Sequence, residues 1–519
     1  MTSKKLDVLF IKPNNSKKIY QGLSKDYSAI ETPTWSLLLA ESCRSIGHNV
    51  AILDTCAENL SDEESLDRIK ELDPRLLCFV VYGQNVNAGT VNMSGATRLS
   101  KFIKDNDPTK TICFVGSHMS ALPYDTLEKE ESIDIILANE GVYALRGLLS
   151  LDSFDQSTLE RIRGIGFRRD GKPFLTAPEK PVPQDRMDID LPGYAWDLLP
   201  YKEKPLDLYR SPMWHANYIE KDRSPYAALY TSLGCMFKCS FCMINVVNRN
   251  DNDRVGIASN YAGMRFWSPG FIIKEIDKLV AMGVKTIRIS DEMFLLNKKY
   301  YEPLCIMIKE RGYGEFLNMW AYSRIDTVKK PENLKLIRDA GIRWLCLGIE
   351  SGDKKVRLEA SKGKFKDVDI RYIIKMVHDA DIDIMANYLV GLPGDTHETM
   401  QKTLDLSLEL CTRGWNMYAA MALPGSRLYK EALEANHELP NSYVGYSFHS
   451  YETLPLPTDS LSPAEILKFR DAAWTSYHTY EPFLELVEKK SGPDAKHDIL
   501  EMTKIKLKRK ILESKDAVR

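Results

Sequence analysis

The sequence has almost no charge imbalance: 70 Lys and Arg against 72 Asp and Glu leave a formal net charge of −2. No global field therefore recruits nucleic acid or an anionic membrane, and neither is expected as a partner. No apolar run approaches the ~18–20 residues that span a bilayer. The opening "MTSKKLDVLFIKP" carries lysines, but its apolar run stops at Lys12-Pro13 without a cleavage site, unlike a secretory signal. No G-x-G-x-x-G follows the first apolar run, which leaves a nicotinamide or flavin reading unsupported, and a P-loop is absent too. A disulfide framework is also missing for most of the ten cysteines. Cys43, Cys56, Cys78, Cys113, Cys305, Cys346 and Cys411 are scattered singly in apolar or amphipathic segments, where a thiol behaves as a small core hydrophobe. These absences point to a reduced, cytoplasmic protein. The one basic run, "KIKLKRK" at Lys504–Lys510, reads as the wet face of a last helix.

What is present fills 519 residues, too many for one ordinary core, so two or three domains are expected. Over residues 1–150, short apolar runs alternate with amphipathic helical patterns: "LDVLFI", "NVAILD", "LLCFVVY", "TICFVG" and "IDIILA". Continuous apolar strands separated by helices predict an α/β, doubly wound parallel sheet, with ligands at the carboxyl ends of its strands. Residues 151–225, rich in proline and aromatics, read as a connector packed against both neighbours. The alternation restarts over 226–435 and repeats about six times, which suits a full or partial (β/α) barrel with its chemistry at the strand tips. Residues 436–519 predict a small, mostly helical cap, with helices starting near Ser462 and Pro493. Trp196, Trp214, His215, Tyr446 and Tyr451 could line a pocket, although packing is the more ordinary use of such aromatics.

After the first of these barrel strands comes "YTSLGCMFKCSFCMIN", with Cys235, Cys239 and Cys242 in one short loop. A closed zinc site wants four ligands, and only a distant His215 could complete it. Three unligated thiols are another reading. An iron–sulfur cluster fits better, because cluster iron favours thiolates and four irons on three cysteines leave one iron open. The spacing, with Phe241 in its aromatic position, resembles the signature of the radical S-adenosylmethionine superfamily. Further motifs resemble it in order along the barrel. Asp291 and Glu292 of "DEM" fall where the family contacts the methionine amino group. Arg324 of "WAYSRID" is a partner for the methionine carboxylate through its bidentate fork. Glu350 and Ser351 of "GIESGD" match the ribose-binding position. Gly391 lies in the glycine-containing turn near adenine, and Pro424 in "ALPGS" follows strand six. Each has a plainer reading: Arg324 could pair with Asp326, Glu350 could cap the next segment, and Gly391 could only turn the chain.

A doubly wound sheet ahead of such a barrel resembles the cobalamin-dependent subgroup, in which the corrin lies between the two domains. The residues that carry this are Tyr82, Gly83, Gln84 and Asn85 after strand three, Gly116, Ser117 and His118 after strand four, and the acidic-glycine loop Glu140-Gly141 after strand five. The subgroup's best-known signature, D-x-H-x-x-G, is not met. The only D-x-H is Asp395-Thr396-His397, with Met400 in place of glycine, and it opens a barrel helix where an N-cap is expected. The resemblance implies a 4Fe–4S cluster, S-adenosyl-L-methionine and cobalamin as cofactors. It also implies an electron donor such as flavodoxin or ferredoxin, and a small-molecule substrate. The activity it implies is methyl transfer to an unactivated centre through a 5′-deoxyadenosyl radical and methylcobalamin. A non-methylating rearrangement, ring formation or oxidation is the alternative, and a non-catalytic iron–sulfur sensor or assembly protein the reading from another class.

Overall fold

A computed structural model describes residues 5–14, 16–24, 27–83, 86–361 and 368–513. Its first sheet takes Val8–Lys12 (β1), Val50–Asp54 (β2), Leu76–Val81 (β3), Ile112–Gly116 (β4), Ile135–Leu137 (β5), Ile165–Arg169 (β6) and Lys172–Leu175 (β7), in the order β2-β1-β3-β4-β5-β6-β7. The first five pair in parallel. Every residue of β3 and β4 is buried, which is why those stretches read as unbroken apolar runs rather than alternating ones. The chain order reverses about β1, and the crevice outside the carboxyl ends of β1 and β3 is the ligand position of such sheets.

The sheet does not stop at residue 150. β6 and β7, from the stretch read as connector, add to β5 as an antiparallel hairpin. Asp170 (φ 51°) and Gly171 (φ 79°) form its two-residue turn, the left-handed pair that such a hairpin requires.

Six parallel strands form the second sheet: Tyr226–Leu229 (β8), Thr286–Ile289, Asn318–Arg324, Ile342–Glu350, Asp383–Val390 and Gly414–Ala419. Between the first two lies an antiparallel pair, Ser232–Cys235 (β9) and Gly263–Phe266 (β10), so the other five parallel strands are β11 to β15. The expected first strand, "AALYTSL", is thus split: β8 ends at Leu229, and the chain turns away before the cysteines. The sheet curls into an open half-barrel of six strand–helix units bounded by β8 and β15. Outward residues such as Ile287, Leu345, Ala386 and Met417 are fully buried under the helices. Inward residues near the tips, among them Tyr322, Asn387, Asn416 and Tyr418, are only half-buried, so the lumen opens at its carboxyl end. Gly283, Gly312 and Gly341 follow their helices with φ of 82°, 72° and 95°, the expected left-handed helix ends.

Both edges of the half-barrel are covered. At β8, Thr32 Oγ1 accepts from Ala228 N at 3.1 Å, and Thr34 Oγ1 donates to Ala228 O at 3.1 Å. At β15, the helix Pro463–His478 lies alongside: Arg470 Nε donates to Met417 O at 2.9 Å, and Tyr477 stacks on Trp415 with ring centres 5.0 Å apart. Covering unpaired edges in this way removes a template for aggregation. The expected helices near Ser462 and Pro493 are present, and a further one, Glu481–Ser491, stands between them. The basic run is not the face of a helix. The last long helix ends at Lys504, and Arg509 is buried in a two-pronged pair with Asp471 at 2.9 Å on both bonds.

Candidate functional site

The cysteine loop begins where Gly234, at φ 84°, crosses Gly263: a Cβ there would lie 2.2 Å from the Gly263 carbonyl, so only glycine fits. Asn245 Oδ1 then accepts from Cys235 N at 2.7 Å. Ser240 ties the loop to both flanks of the barrel, donating from its N to Ala360 O at 3.2 Å and accepting from Leu428 N at 3.0 Å. Cys235 is buried, and Cys239 and Cys242 are partly so. Burial pushes the Cys235 thiol up to about 12 and the Cys239 thiol to about 11, and raises Cys242 too. A metal would have to supply the charge that turns them into thiolates.

Among the described residues no three His, Cys, Asp or Glu side chains converge on one ion. A single zinc needs that convergence. A cube does not, because each thiolate takes its own iron. His215 cannot complete a zinc site. It is fully buried and its Nε2 lies 3.0 Å from Asn318 O at the foot of β12, about 20 Å of strand away from Arg324 at the tip.

Arg324 is brought to the cysteines, as expected, but its Nε and Nη2 edge holds Asp326 at 2.7 and 2.5 Å. Its Nη1 lies 4.0 Å from Cys239 Sγ, and its guanidinium sits 3.5 Å over the Phe237 ring. Burial opposes the Arg324 charge, yet Asp326 and Cys239 raise its pKa overall. Glu350 stands at the tip of β13, where the pairing with β14 shifts register, and it holds φ at 68°. That left-handed backbone in a non-glycine residue is strain of the kind found at functional sites. Burial lifts its carboxyl to about 7 against the pull of Arg324. Glu292, at the tip of β11, is lifted to about 7 by burial against Arg288.

The other expected contacts are used by the fold. Asp291 is buried and accepts three bonds, from Thr231 N, Thr231 Oγ1 and Ser232 Oγ, each 2.6 Å. It holds the turn between β8 and β9. Ser351 is buried, with its Oγ 3.3 Å from Thr403 and accepting from Asp353 N at 3.1 Å. Gly391, at φ 74°, faces Ile466, which a Cβ would approach to 2.6 Å. Pro424 is buried beside Gly425, which abuts Ala121 and Met243. Phe241 packs into the apolar cluster of Leu389, Leu392 and Ala420. Thr396 is the expected N-cap, accepting from Thr399 N, while His397 is exposed.

The first sheet meets this loop along one apolar joint that includes Tyr82, Val91, Ala121, Cys235, Phe241 and Met243. Met243 N donates to Asn87 Oδ1 at 3.1 Å, and buried Arg249 donates to Ser120 O at 2.6 Å. Glu140 is wholly buried and pairs with Arg265 of β10 at 2.8 Å, clamping the cysteine hairpin to β5's loop. Gly141, at φ 83°, packs on Val115 and Leu137. Gly116 passes so close to Val81 that a Cβ would lie 2.3 Å from its carbonyl oxygen, and buried Ser117 fills the space beside Gly89. Gln84 and Asn85 lie outside the described residues, and Gly83 is half-buried at their edge.

Two polar atoms at these strand ends are buried and have no partner among the described residues: Tyr82 Oη and His118 Nε2. Burial holds the His118 imidazole neutral, near pKa 4, with Nδ1 3.2 Å from Thr90 Oγ1. Tyr82 leans on Trp35 at 4.7 Å, and Trp35 meets Tyr230 edge-on at 6.0 Å, an aromatic bridge between the sheets. Orphaned polar atoms at these strand ends fit a large polar cofactor there. Of the aromatics singled out in the sequence, Trp196 is buried with its Nε1 on Glu275 at 3.2 Å and Tyr446 belongs to the joint, whereas Trp214 lines a cavity with Trp415 and Trp474, and Tyr451 is exposed. Sequence reasoning missed Arg249, in the polar stretch "NRNDND", and also Asn245 and Arg265, single polar residues within "MINVV" and "GMRFW". It also missed Arg288, whose place inside the apolar strand "TIRIS" was a usable signal.

Comparison with known proteins agrees with this architecture. Residues 229–407 match the radical SAM superfamily and residues 25–149 the B12 binding domain. An uncharacterized methyltransferase of Pyrococcus horikoshii is 25% identical over 404 residues, covering 77% of this chain and 78% of that protein. An anaerobic magnesium-protoporphyrin IX monomethyl ester cyclase of Cereibacter sphaeroides is 23% identical over 487 residues, covering 91% and 70%. The radical S-adenosylmethionine methyltransferase TsrM of Kitasatospora setae, solved with cobalamin and a 4Fe–4S cluster, shares the fold with a TM-score of 0.64 at 15% identity, covering 96% of this chain and 99% of that one. Among the described residues no helix is long and apolar enough to cross a membrane.

Proposed function

We propose that this chain, which joins a B12-binding domain to a radical SAM domain, is a cobalamin-dependent methyltransferase. It acts in the cytoplasm on an unactivated centre of a small molecule, with electrons from a flavodoxin- or ferredoxin-like donor. The observation that carries the reading is the joint itself: the strand ends of the first sheet and the cysteine loop of the half-barrel share one apolar cluster. When bound, the cluster and S-adenosylmethionine supply a carbon-centred radical and the corrin a transferable methyl group.

Cys235, Cys239 and Cys242 would hold the cluster. Arg324, with its charge secured by Asp326, stands beside Cys239 and favours a negative sulfur there. Glu292 and Glu350, both near pKa 7, are placed at the barrel mouth to accept from ammonium or hydroxyl groups of S-adenosylmethionine. Tyr82 and His118 present their unpartnered atoms at the ends of β3 and β4, where the corrin would lie. Phe237 and Phe241 keep water from the loop.

A second reading, radical ring formation or oxidation without methyl transfer, is favoured by the similarity to the cyclase along 91% of this chain. Anaerobic turnover with methyl-labelled S-adenosylmethionine and a metabolite extract separates the two. Methyl transfer releases S-adenosylhomocysteine as well as 5′-deoxyadenosine and labels a product. Formation of 5′-deoxyadenosine together with a substrate-derived product of altered mass that carries no label would establish the second reading.

A further inference from the structure

Arg288 lies in the middle of β11, between Ile287 and Ile289, which face the helices. Its own side chain turns the other way, into the lumen, in register with Ala228 of β8 and Trp320 of β12. It is 1% exposed. One terminal nitrogen, Nη1, lies 3.2 Å from Glu31 Oε1, and the other Glu31 oxygen accepts from Tyr226 at 2.8 Å. The remaining two nitrogens, Nε and Nη2, are buried with no hydrogen-bond partner among the described residues. The guanidinium carbon sits 5.0 Å from the Trp320 ring centre and 5.1 Å from that of Tyr322.

These two nitrogens form one edge of the guanidinium, with parallel N–H bonds that match the two oxygens of a carboxylate. Elsewhere the chain uses the same edge for that purpose. Arg324 meets Asp326 through it, Arg186 meets Asp190 at 2.9 and 3.0 Å, and Arg509 meets Asp471. Nor does Glu31 saturate Arg288, since Arg44 bridges both Glu41 and Asp197. A buried cation with a whole edge unpaired is costly to the fold, and aromatic faces compensate only in part.

We infer that Arg288 is a substrate-recognition residue: its Nε–Nη2 edge takes the carboxylate of a small molecule whose flat apolar body lies against Trp320 and Tyr322. The ligand enters from the open mouth of the lumen, past Glu292, and displaces the half-buried Tyr322 ring from the guanidinium. The reacting carbon would then lie between this carboxylate and the cysteine loop. The inference rests on the proposed reaction for its biological meaning but not for its test.

Thermal unfolding of the full chain, reconstituted with iron and sulfide, is followed with phenylacetate and 3-phenylpropionate, each paired with its neutral amide. The acids are expected to raise the midpoint with dose while the amides do not. Arg288→Gln should raise the concentration of acid needed at least ten-fold, with Arg288→Lys in between. The acid–amide contrast on the wild type stands even if a variant fails to fold. Equal response to acid and amide would overturn the inference, as would an Arg288→Gln protein that responds to the acids like the wild type. S-adenosylmethionine cleavage by the wild-type protein in the same preparation reports on the radical reading alone. Its failure would leave the carboxylate site standing, and its success would not rescue that site.

Discussion

At the carboxyl ends of β3, β4 and β5 the first sheet is filled in: Gly116 rides on the Val81 carbonyl, Glu140 is locked by Arg265, and Gly141 packs on Val115. At the carboxyl ends of β11 and β13 the half-barrel is left unsettled. Glu292 and Glu350 are carboxyls lifted to about 7 by burial, Glu350 is held at φ 68°, and three thiols stand nearby. The first set holds the two domains together, and the second is strained and desolvated. Strain and desolvation collect where chemistry is done, while well-satisfied polar groups collect where two domains must stay in register. Tyr82 and His118, with their unpartnered atoms, are the exceptions on the first side.

Substitutions can break this contrast. The largest effect is expected at the cysteines: Cys235→Ala, Cys239→Ala or Cys242→Ala should each abolish S-adenosylmethionine cleavage and lower iron content. The fold should survive, as read by circular dichroism. Glu140→Ala leaves the buried Arg265 charge without its carboxylate, so unfolding in denaturant should show a loss of about 3–5 kcal/mol. Gly116→Ala forces a Cβ against Val81 O and should cost about 1–3 kcal/mol, with the domain joint loosening first in proteolysis.

The raised carboxyls give a test with a sign. A folded pKa near 7 exceeds the unfolded value near 4.3, so the folded state holds the extra proton. Stability therefore falls as pH rises from about 4.5 to 7. Glu292→Gln and Glu350→Gln should each gain about 1–2 kcal/mol relative to wild type at pH 8 compared with pH 5, allowing for screening through the open mouth. The smallest effect is expected at the exposed pair Arg254–Glu128. There Arg254→Ala should change stability by less than about 1 kcal/mol.

Much of this was legible beforehand because parallel strands buried on both faces leave unbroken apolar runs, and because a three-cysteine loop needs only local spacing. The hairpin β6–β7 was also written locally, in Asp170-Gly171, but the prolines around it hid the signal. What spacing cannot encode is which partner wins. Asp291 and Ser351 fall at the right strand tips, yet Thr231, Ser232 and Thr403 claim them. Arg324 stands at its strand tip beside Cys239, and its fork is taken by Asp326 two residues away, the plainer of the two readings. Within the basic run Lys504, Lys506, Lys508 and Lys510 are exposed, as expected, and the burial of Arg509 depends on Asp471, 38 residues distant.

The most direct test of the account is spectroscopic. Anaerobically reconstituted protein is analysed for iron and sulfide, reduced, and examined by electron paramagnetic resonance with and without S-adenosylmethionine. A four-iron cluster is expected whose signal changes when S-adenosylmethionine is added, because one iron is open to it. Protein that holds zinc without sulfide, or a cluster whose signal ignores S-adenosylmethionine, would contradict it.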